Sequence, residues 1–203
     1  MPFAENTYIV WLDGHPEALV IDPGLEPQLI LDFLAARGLR AVAILNTHGH
    51  ADHIAGNADL KAAFPDAPLI IGRADAPLLA DPVLNVSREY GFDLVSPPAD
   101  RLVAEGDILL FAGLTLDILD IPGHSPGHVV FVVRGEGVVI GGDVLFRGGI
   151  GRTDFPGGNF DQLATGIRTK LYPLPDETVV YPGHGPVTKI GYERRTNPFV
   201  PGL

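Results

Sequence analysis

The 203-residue chain contains no cysteine. That excludes disulfides, thiolate metal ligands and cysteine nucleophiles, so any transition-metal site has to be built from His, Asp and Glu. No apolar run approaches the roughly 20 residues that a membrane helix needs. The opening Met1-Pro2-Phe3-Ala4-Glu5-Asn6 lacks a basic segment followed by an apolar one, so no signal peptide is expected, and a cytoplasmic protein is. Basic residues are few: 14 Lys and Arg against 25 Asp and Glu leave a formal net charge of −11. An acidic surface is a poor start for binding nucleic acid or anionic membrane, so neither is an expected partner. Linkers, long charge runs and internal repeats are missing too. The 25 glycines and 19 prolines are dispersed and mark turns between short elements. At 46% hydrophobic residues the chain can bury a sizeable core, as one domain over residues 1–203.

Hydrophobic patterning divides the chain into short elements. Thr7 to Leu12 and Glu17 to Ile21 are β-like runs around Asp13-Gly14-His15-Pro16, a hairpin. Pro27 to Arg37 reads as an amphipathic helix ended by Gly38. Ala41 to Leu45 and Pro68 to Ile71 read as strands, and Asn57 to Phe64 as a helix. Arg73 to Arg101 is irregular, with room for a short helix and a loop. Beyond it, Asp107 to Phe111, Leu114 to Leu119, Val129 to Val133 and Val138 to Ile140 fit strands. Asp161 to Leu171 fits a helix, and Thr178 to Tyr181 a last strand. The α/β arrangement this favours is two mixed sheets packed face to face with helices outside. Periodicity alone does not separate it from other α/β layouts.

Six of the seven histidines fall in three short segments, each just after a predicted strand. These are Thr47-His48-Gly49-His50-Ala51-Asp52-His53, Pro122-Gly123-His124-Ser125-Pro126-Gly127-His128 and Pro182-Gly183-His184-Gly185. A fourth segment, Gly141-Gly142-Asp143, supplies a carboxylate. Strand ends in layered α/β folds converge on one edge, where ligands bind. His48 and His50, two apart, project the same way from extended chain and can grip one cation. Asp52 and His53 come where the next helix begins and can face a second. Imidazole and carboxylate suit zinc, iron and manganese, zinc being the first expectation. His15, in the hairpin turn, reads as a surface residue, and Asp22 in Asp22-Pro23-Gly24 as a turn former.

Thr47 to His53 resembles the HxHxDH signature of the metallo-β-lactamase superfamily, and the resemblance continues through His124, Asp143 and His184. It implies an αββα sandwich. It also implies one cation held by His48, His50 and His124, a second by Asp52, His53 and His184, and Asp143 bridging the two. Asp52 and Asp143 are thereby the implied catalytic carboxylates, Asp52 orienting a hydroxide held between two divalent ions. His128 matches a further His of the glyoxalase-like GHxPGH pattern that is not a ligand.

The stretch Phe146 to Asn159 and the tail Gly183 to Phe199 resemble small bacterial glyoxalase II-like proteins, hydroxyacylglutathione hydrolases. The implied activity is hydrolysis of a small-molecule thioester, a glutathione conjugate such as S-D-lactoylglutathione. The C-terminal helical glutathione-binding domain of the longer enzymes is expected to have no counterpart here. Arg152 matches a basic residue that contacts glutathione, and an ion pair with Asp154 is the competing assignment. Tyr90 and Phe92 are candidates for the pocket wall or for packing. Two rival activities share the pattern. A persulfide dioxygenase would use one iron on His48, His124 and Asp143, but those enzymes have Cys where Ile150 stands. Another hydrolase, such as a lactonase, β-lactamase or phosphodiesterase, is the second.

Overall fold

The computed structural model describes residues 4–202. Its first two strands, β1 (Tyr8–Trp11) and β2 (Glu17–Ile21), pair antiparallel across the expected hairpin, Trp11 opposite Ala18. His15 is exposed in the turn, as its sequence context indicates. Helix α1 (Pro27–Arg37) keeps its predicted bounds. Proline is placed in its first turn, where a missing N–H costs nothing, and Gly38 closes it at φ 65°. Strand β3 (Arg40–Asn46), the short helices α2 (Ala51–Ile54) and α3 (Asn57–Ala63), and β4 (Leu69–Gly72) follow. The stretch read as irregular contains two 3₁₀ segments, Arg73–Ala80 and Ser87–Tyr90, and then a strand that patterning misses, β5 (Arg101–Val103). Three residues give too few alternations to register as a period.

The second half builds β6 (Ile108–Phe111), β7 (Leu114–Asp120), β8 (Val129–Val133) and β9 (Val138–Gly142). A hairpin of two-residue strands, β10 (Leu145–Phe146) with β11 (Gly149–Ile150), leads to helix α4 (Phe160–Gly166). The helix expected over Asp161 to Leu171 starts one residue earlier, with the Asn159 side chain accepting from Gln162 N–H, and widens into a π turn over Ile167–Leu171. Strand β12 (Val179–Pro182), the two-residue β13 (Thr188–Lys189) and helix α5 (Ile190–Thr196) complete the order. Neither β13 nor α5 shows in the patterning.

Apart from the β10–β11 hairpin, the strands form two mixed sheets. One runs β1-β2-β3-β4-β5, with β2 to β5 parallel; the other runs β13-β12-β9-β8-β7-β6, with β12 and β9 parallel and the rest antiparallel. Strand alternation assigns the layers. In β2, Leu19 and Ile21 face the second sheet and meet Phe131, Ile118 and Ile140, while Ala18 and Val20 face outward onto Ile30 and Leu34 of α1. In the second sheet Val130, Val139 and Val180 face outward onto Leu163 and Ile167. Strands covered on both faces have to be apolar throughout, so these segments read as continuous hydrophobic runs. The result is the αββα sandwich. Strands β3, β7, β9 and β12 all end on one edge, which brings the four His- and Asp-bearing segments together.

Candidate metal centre

The loop after β3 carries His48 and His50, and α2 carries Asp52 and His53. The loop after β7 carries His124, Asp143 directly follows β9, and His184 lies two residues beyond β12. These seven side chains converge. His48, His50 and His124 form one triplet and Asp52, His53 and His184 another; His48, His53 and Asp143 form a third that joins them, with donor atoms within 4.8 Å in each. Asp143 is central: its oxygens lie 3.5 Å from His53 Nε2, 3.4 Å from His124 Nε2 and 3.5 Å from His184 Nε2. Asp52 Oδ2 lies 3.3 Å from His184 Nε2.

The outer nitrogen of four rings is tied down. His53 Nδ1 donates to Asp22 Oδ2 (3.0 Å), His124 Nδ1 to the Arg152 carbonyl (2.8 Å) and His184 Nδ1 to the Ala4 carbonyl (3.1 Å). His48 Nδ1 donates to Thr47 Oγ1 (3.1 Å), whose own hydrogen goes to Asp22 Oδ2 (2.7 Å). Such bonds orient each ring and turn its Nε2 inward. His50 differs in presenting Nδ1, 2.9 Å from His124 Nε2. Glycines admit the close approach: a Cβ on Gly183 would overlap Asp143 Oδ1 and the His53 ring, and one on Gly142, at φ 49°, would overlap Thr47 Oγ1.

The donor set fits divalent cations. His48 Nε2, His53 Nε2 and Asp143 Oδ1 are buried without any hydrogen-bond partner, a state that costs about 1–3 kcal/mol per group unless something fills it. Burial lowers the pKa of His48, His50 and His124, keeping them neutral as ligation requires. Burial alone would do the same to His53, but Asp52, Asp143 and Asp22 around it raise its pKa well above the usual histidine range. Burial also works against ionised Asp52, yet His53 and His184 hold its pKa well below the usual carboxylate value. The pocket thus draws positive charge to its centre. The cluster is suited to a dinuclear metal site.

Sequence reasoning misses two residues here. Asp22 forms a turn, at φ 50°, as predicted, but its buried carboxylate also accepts from Thr47 N–H (2.7 Å), Thr47 Oγ1 and His53. Asp75, in the stretch read as irregular, accepts from Gly49 N–H (2.9 Å), Ser125 Oγ (2.6 Å) and Gly127 N–H (2.5 Å). It therefore props the first two ligand loops from below. Burial pushes the Asp75 pKa up, against the pull of those three donors. His128 is fully buried, stacks on His48 and accepts from Asp143 N–H (2.9 Å).

Above the cluster is a cavity of about 210 Å³ walled by Val86, Tyr90, Phe146, Ile150, Arg152 and Phe155. Phe92 is not among its lining residues. Arg152 pairs with Asp154 through two bonds of 2.9 and 2.8 Å and lies 4.2 Å from the Phe155 ring centroid. Arg152 thus forms the ion pair with Asp154 and also lines the cavity.

Residues 1–184 match the family model of the metallo-beta-lactamase superfamily. The chain belongs to that superfamily. Among curated relatives of this superfamily member, hydroxyacylglutathione hydrolase GloC of Haemophilus influenzae is 38% identical over 98% of this chain and 93% of its own length. Probable metallo-hydrolase YqgX of Bacillus subtilis is 42% identical over 100% and 95%. Among solved structures, BLEG-1 B3 metallo-beta-lactamase superposes with a TM-score of 0.95 at 38% identity, over 100% of this chain and 97% of that one. TTHA1623 in a di-iron-bound form gives 0.86 at 40%, over 98% and 96%. ETHE1 from Myxococcus xanthus gives 0.79 at 30%, over 97% and 80%. The chain is thus a metal-dependent enzyme of the superfamily's hydrolase type. Among the described residues no helix is long and apolar enough to cross a membrane.

Proposed function

We propose that the chain is a glyoxalase II-type thioesterase that hydrolyses an acyl thioester of glutathione, such as S-D-lactoylglutathione, to the hydroxy acid and free thiol. The observation that carries this reading is the convergence of seven ligand-type side chains, with four of their nitrogen and oxygen atoms buried and unpartnered, five of the seven lining the floor of a walled cavity. The 38% identity to GloC supports the substrate class. His48, His50 and His124 would hold one cation, and Asp52, His53 and His184 the other, with Asp143 reaching both. When bound, two divalent ions such as zinc, iron or manganese would supply Lewis acidity, lowering the pKa of water toward neutrality and offsetting oxyanion charge.

The remaining work falls to the protein's own side chains. Asp52 accepts a hydrogen bond from the incoming water and orients it toward the acyl carbon. Val86, Phe146, Ile150 and Phe155 offer apolar walls to the acyl group. Arg152, at the mouth, exchanges its exposed partner Asp154 for a substrate carboxylate, which a planar guanidinium binds through two parallel hydrogen bonds. That exchange is cheap because both members of the pair are largely in water already. Arg152→Ala is expected to raise KM for an anionic glutathione thioester by roughly tenfold, one charge-assisted contact, while kcat stays within about twofold. An unchanged KM in steady-state kinetics would remove Arg152 from substrate binding.

The similarity to ETHE1 supports a second reading, persulfide dioxygenation with one iron on His48, His124 and Asp143. Assays of the metal-loaded protein separate the two. The thioesterase reading expects metal-dependent thiol release from S-D-lactoylglutathione without oxygen consumption. Oxygen uptake with glutathione persulfide, in place of thioester cleavage, would overturn it.

A further inference from the structure

His184 is the most exposed histidine of the cluster: its side chain is 30% exposed, against 0% for His53 and 3% for His124. Its segment, Pro182 to Gly185, leaves β12 without a helix behind it. What holds it comes from the other end of the chain. The Asn6 side-chain amide donates to the Pro182 carbonyl (3.0 Å) and the Gly185 carbonyl (2.8 Å), spanning the histidine from both sides. Asn6 N–H donates to the Gly183 carbonyl (2.7 Å), and Glu5 forms an isolated antiparallel bridge with His184. The Ala4 carbonyl takes the His184 Nδ1 hydrogen, and Tyr8 Oη donates to the Pro182 carbonyl (2.7 Å).

We propose that Asn6 is a positioning residue of the second cation site, clamping the His184 loop so that Nε2 faces Asp52 and Asp143. The inference rests on the reading of His184 as a ligand. It follows from the chemistry of the amide. Two carbonyls on one loop need two donors on one side chain, and only the terminal NH₂ of Asn or Gln supplies them from a short planar group. Aspartate has nearly the same shape but only accepting oxygens, so it would set a carboxylate against both carbonyls. The clamp touches neither His48, His50 nor His124, so its loss should weaken the second site before the first. Losing an outer partner of a metal-bound histidine typically weakens metal affinity by about 10–100-fold.

The test is titration of the metal-free protein with cobalt(II), following visible absorption and bound metal per chain, for wild type, Asn6→Asp, Asn6→Ala, Tyr8→Phe and His184→Ala. Thermal melting of each metal-free variant accompanies it. Wild type should take up two equivalents and His184→Ala only one tightly. The Asn6 variants should bind the first equivalent as wild type does and the second about 10–100-fold more weakly. Tyr8→Phe, which removes one donor to the same loop, should shift the second equivalent in the same direction by severalfold. Second-site affinity within twofold of wild type in both Asn6 variants would overturn the proposal. So would loss of both equivalents together with a lowered metal-free melting temperature, which marks a general fold defect. Two tight equivalents in His184→Ala would instead refute the ligand reading beneath it.

Discussion

Asp143→Ala is expected to lower thioester turnover about a thousandfold or more. Among the described residues, Asp143 is the one carboxylate whose oxygens approach histidines of both outer triplets, His124 of the first and His53 and His184 of the second. Without it, the charge that would hold two like-charged ions side by side is gone, and so is the group that would couple them. Metal-assisted charge stabilisation contributes several kcal/mol to such reactions, and each 1.36 kcal/mol is a factor of ten in rate. Asp143→Asn keeps the shape and one acceptor but drops the charge, so it should fall between alanine and wild type. Steady-state kinetics with saturating metal check both variants. Turnover of Asp143→Ala within tenfold of wild type would mean that the carboxylate is not the hub of the site.

The second large effect concerns stability. Asp22→Ala removes both accepting oxygens of a buried carboxylate and orphans three donors, Thr47 N–H, Thr47 Oγ1 and His53 Nδ1. Each unsatisfied donor costs about 1–3 kcal/mol, so a loss of at least ~3 kcal/mol is expected. In a domain of this size that corresponds to a fall of roughly 6–12 °C in the melting temperature of the metal-free protein. Alanine is also ill suited to the left-handed backbone at this position, φ 50°. Asparagine tolerates that conformation and keeps one acceptor oxygen, so the loss in Asp22→Asn should be clearly smaller. Equal melting temperatures for wild type and Asp22→Ala would show that the network bears no weight.

Asp22 also shows where reading the sequence stops. Asp-Pro-Gly after an apolar run marks a turn, and the turn is there. The carboxylate's partners lie 25 and 31 residues away, and no local pattern announces them. Asp75 reaches 26 to 52 residues to Gly49, Ser125 and Gly127, and Asn6 reaches across 176 and 179 residues to the His184 loop. Side chains that act through long-range hydrogen bonds carry no periodicity of their own.

The ligand-type residues are legible for the opposite reason. His48, His50, Asp52 and His53 are concentrated within one short segment, and each of the other loops follows a run of buried apolar residues that patterning detects. The same logic separates the strands. Val129–Val133, apolar at every position, has the bounds its pattern predicts, whereas Arg101–Val103 and Thr188–Lys189 are too short to show any alternation. The π turn at Ile167–Leu171 is invisible in the sequence because one inserted residue does not disturb the apolar face of α4 enough to break the helical pattern.

Counting metal against turnover in the same preparation tests the two-cation site most directly. Metal-free protein, reloaded stepwise and assayed for hydrolysis of S-D-lactoylglutathione, should hold two ions per chain and gain most of its activity as the second is bound. Full thioester hydrolysis by protein stripped of metal would contradict it.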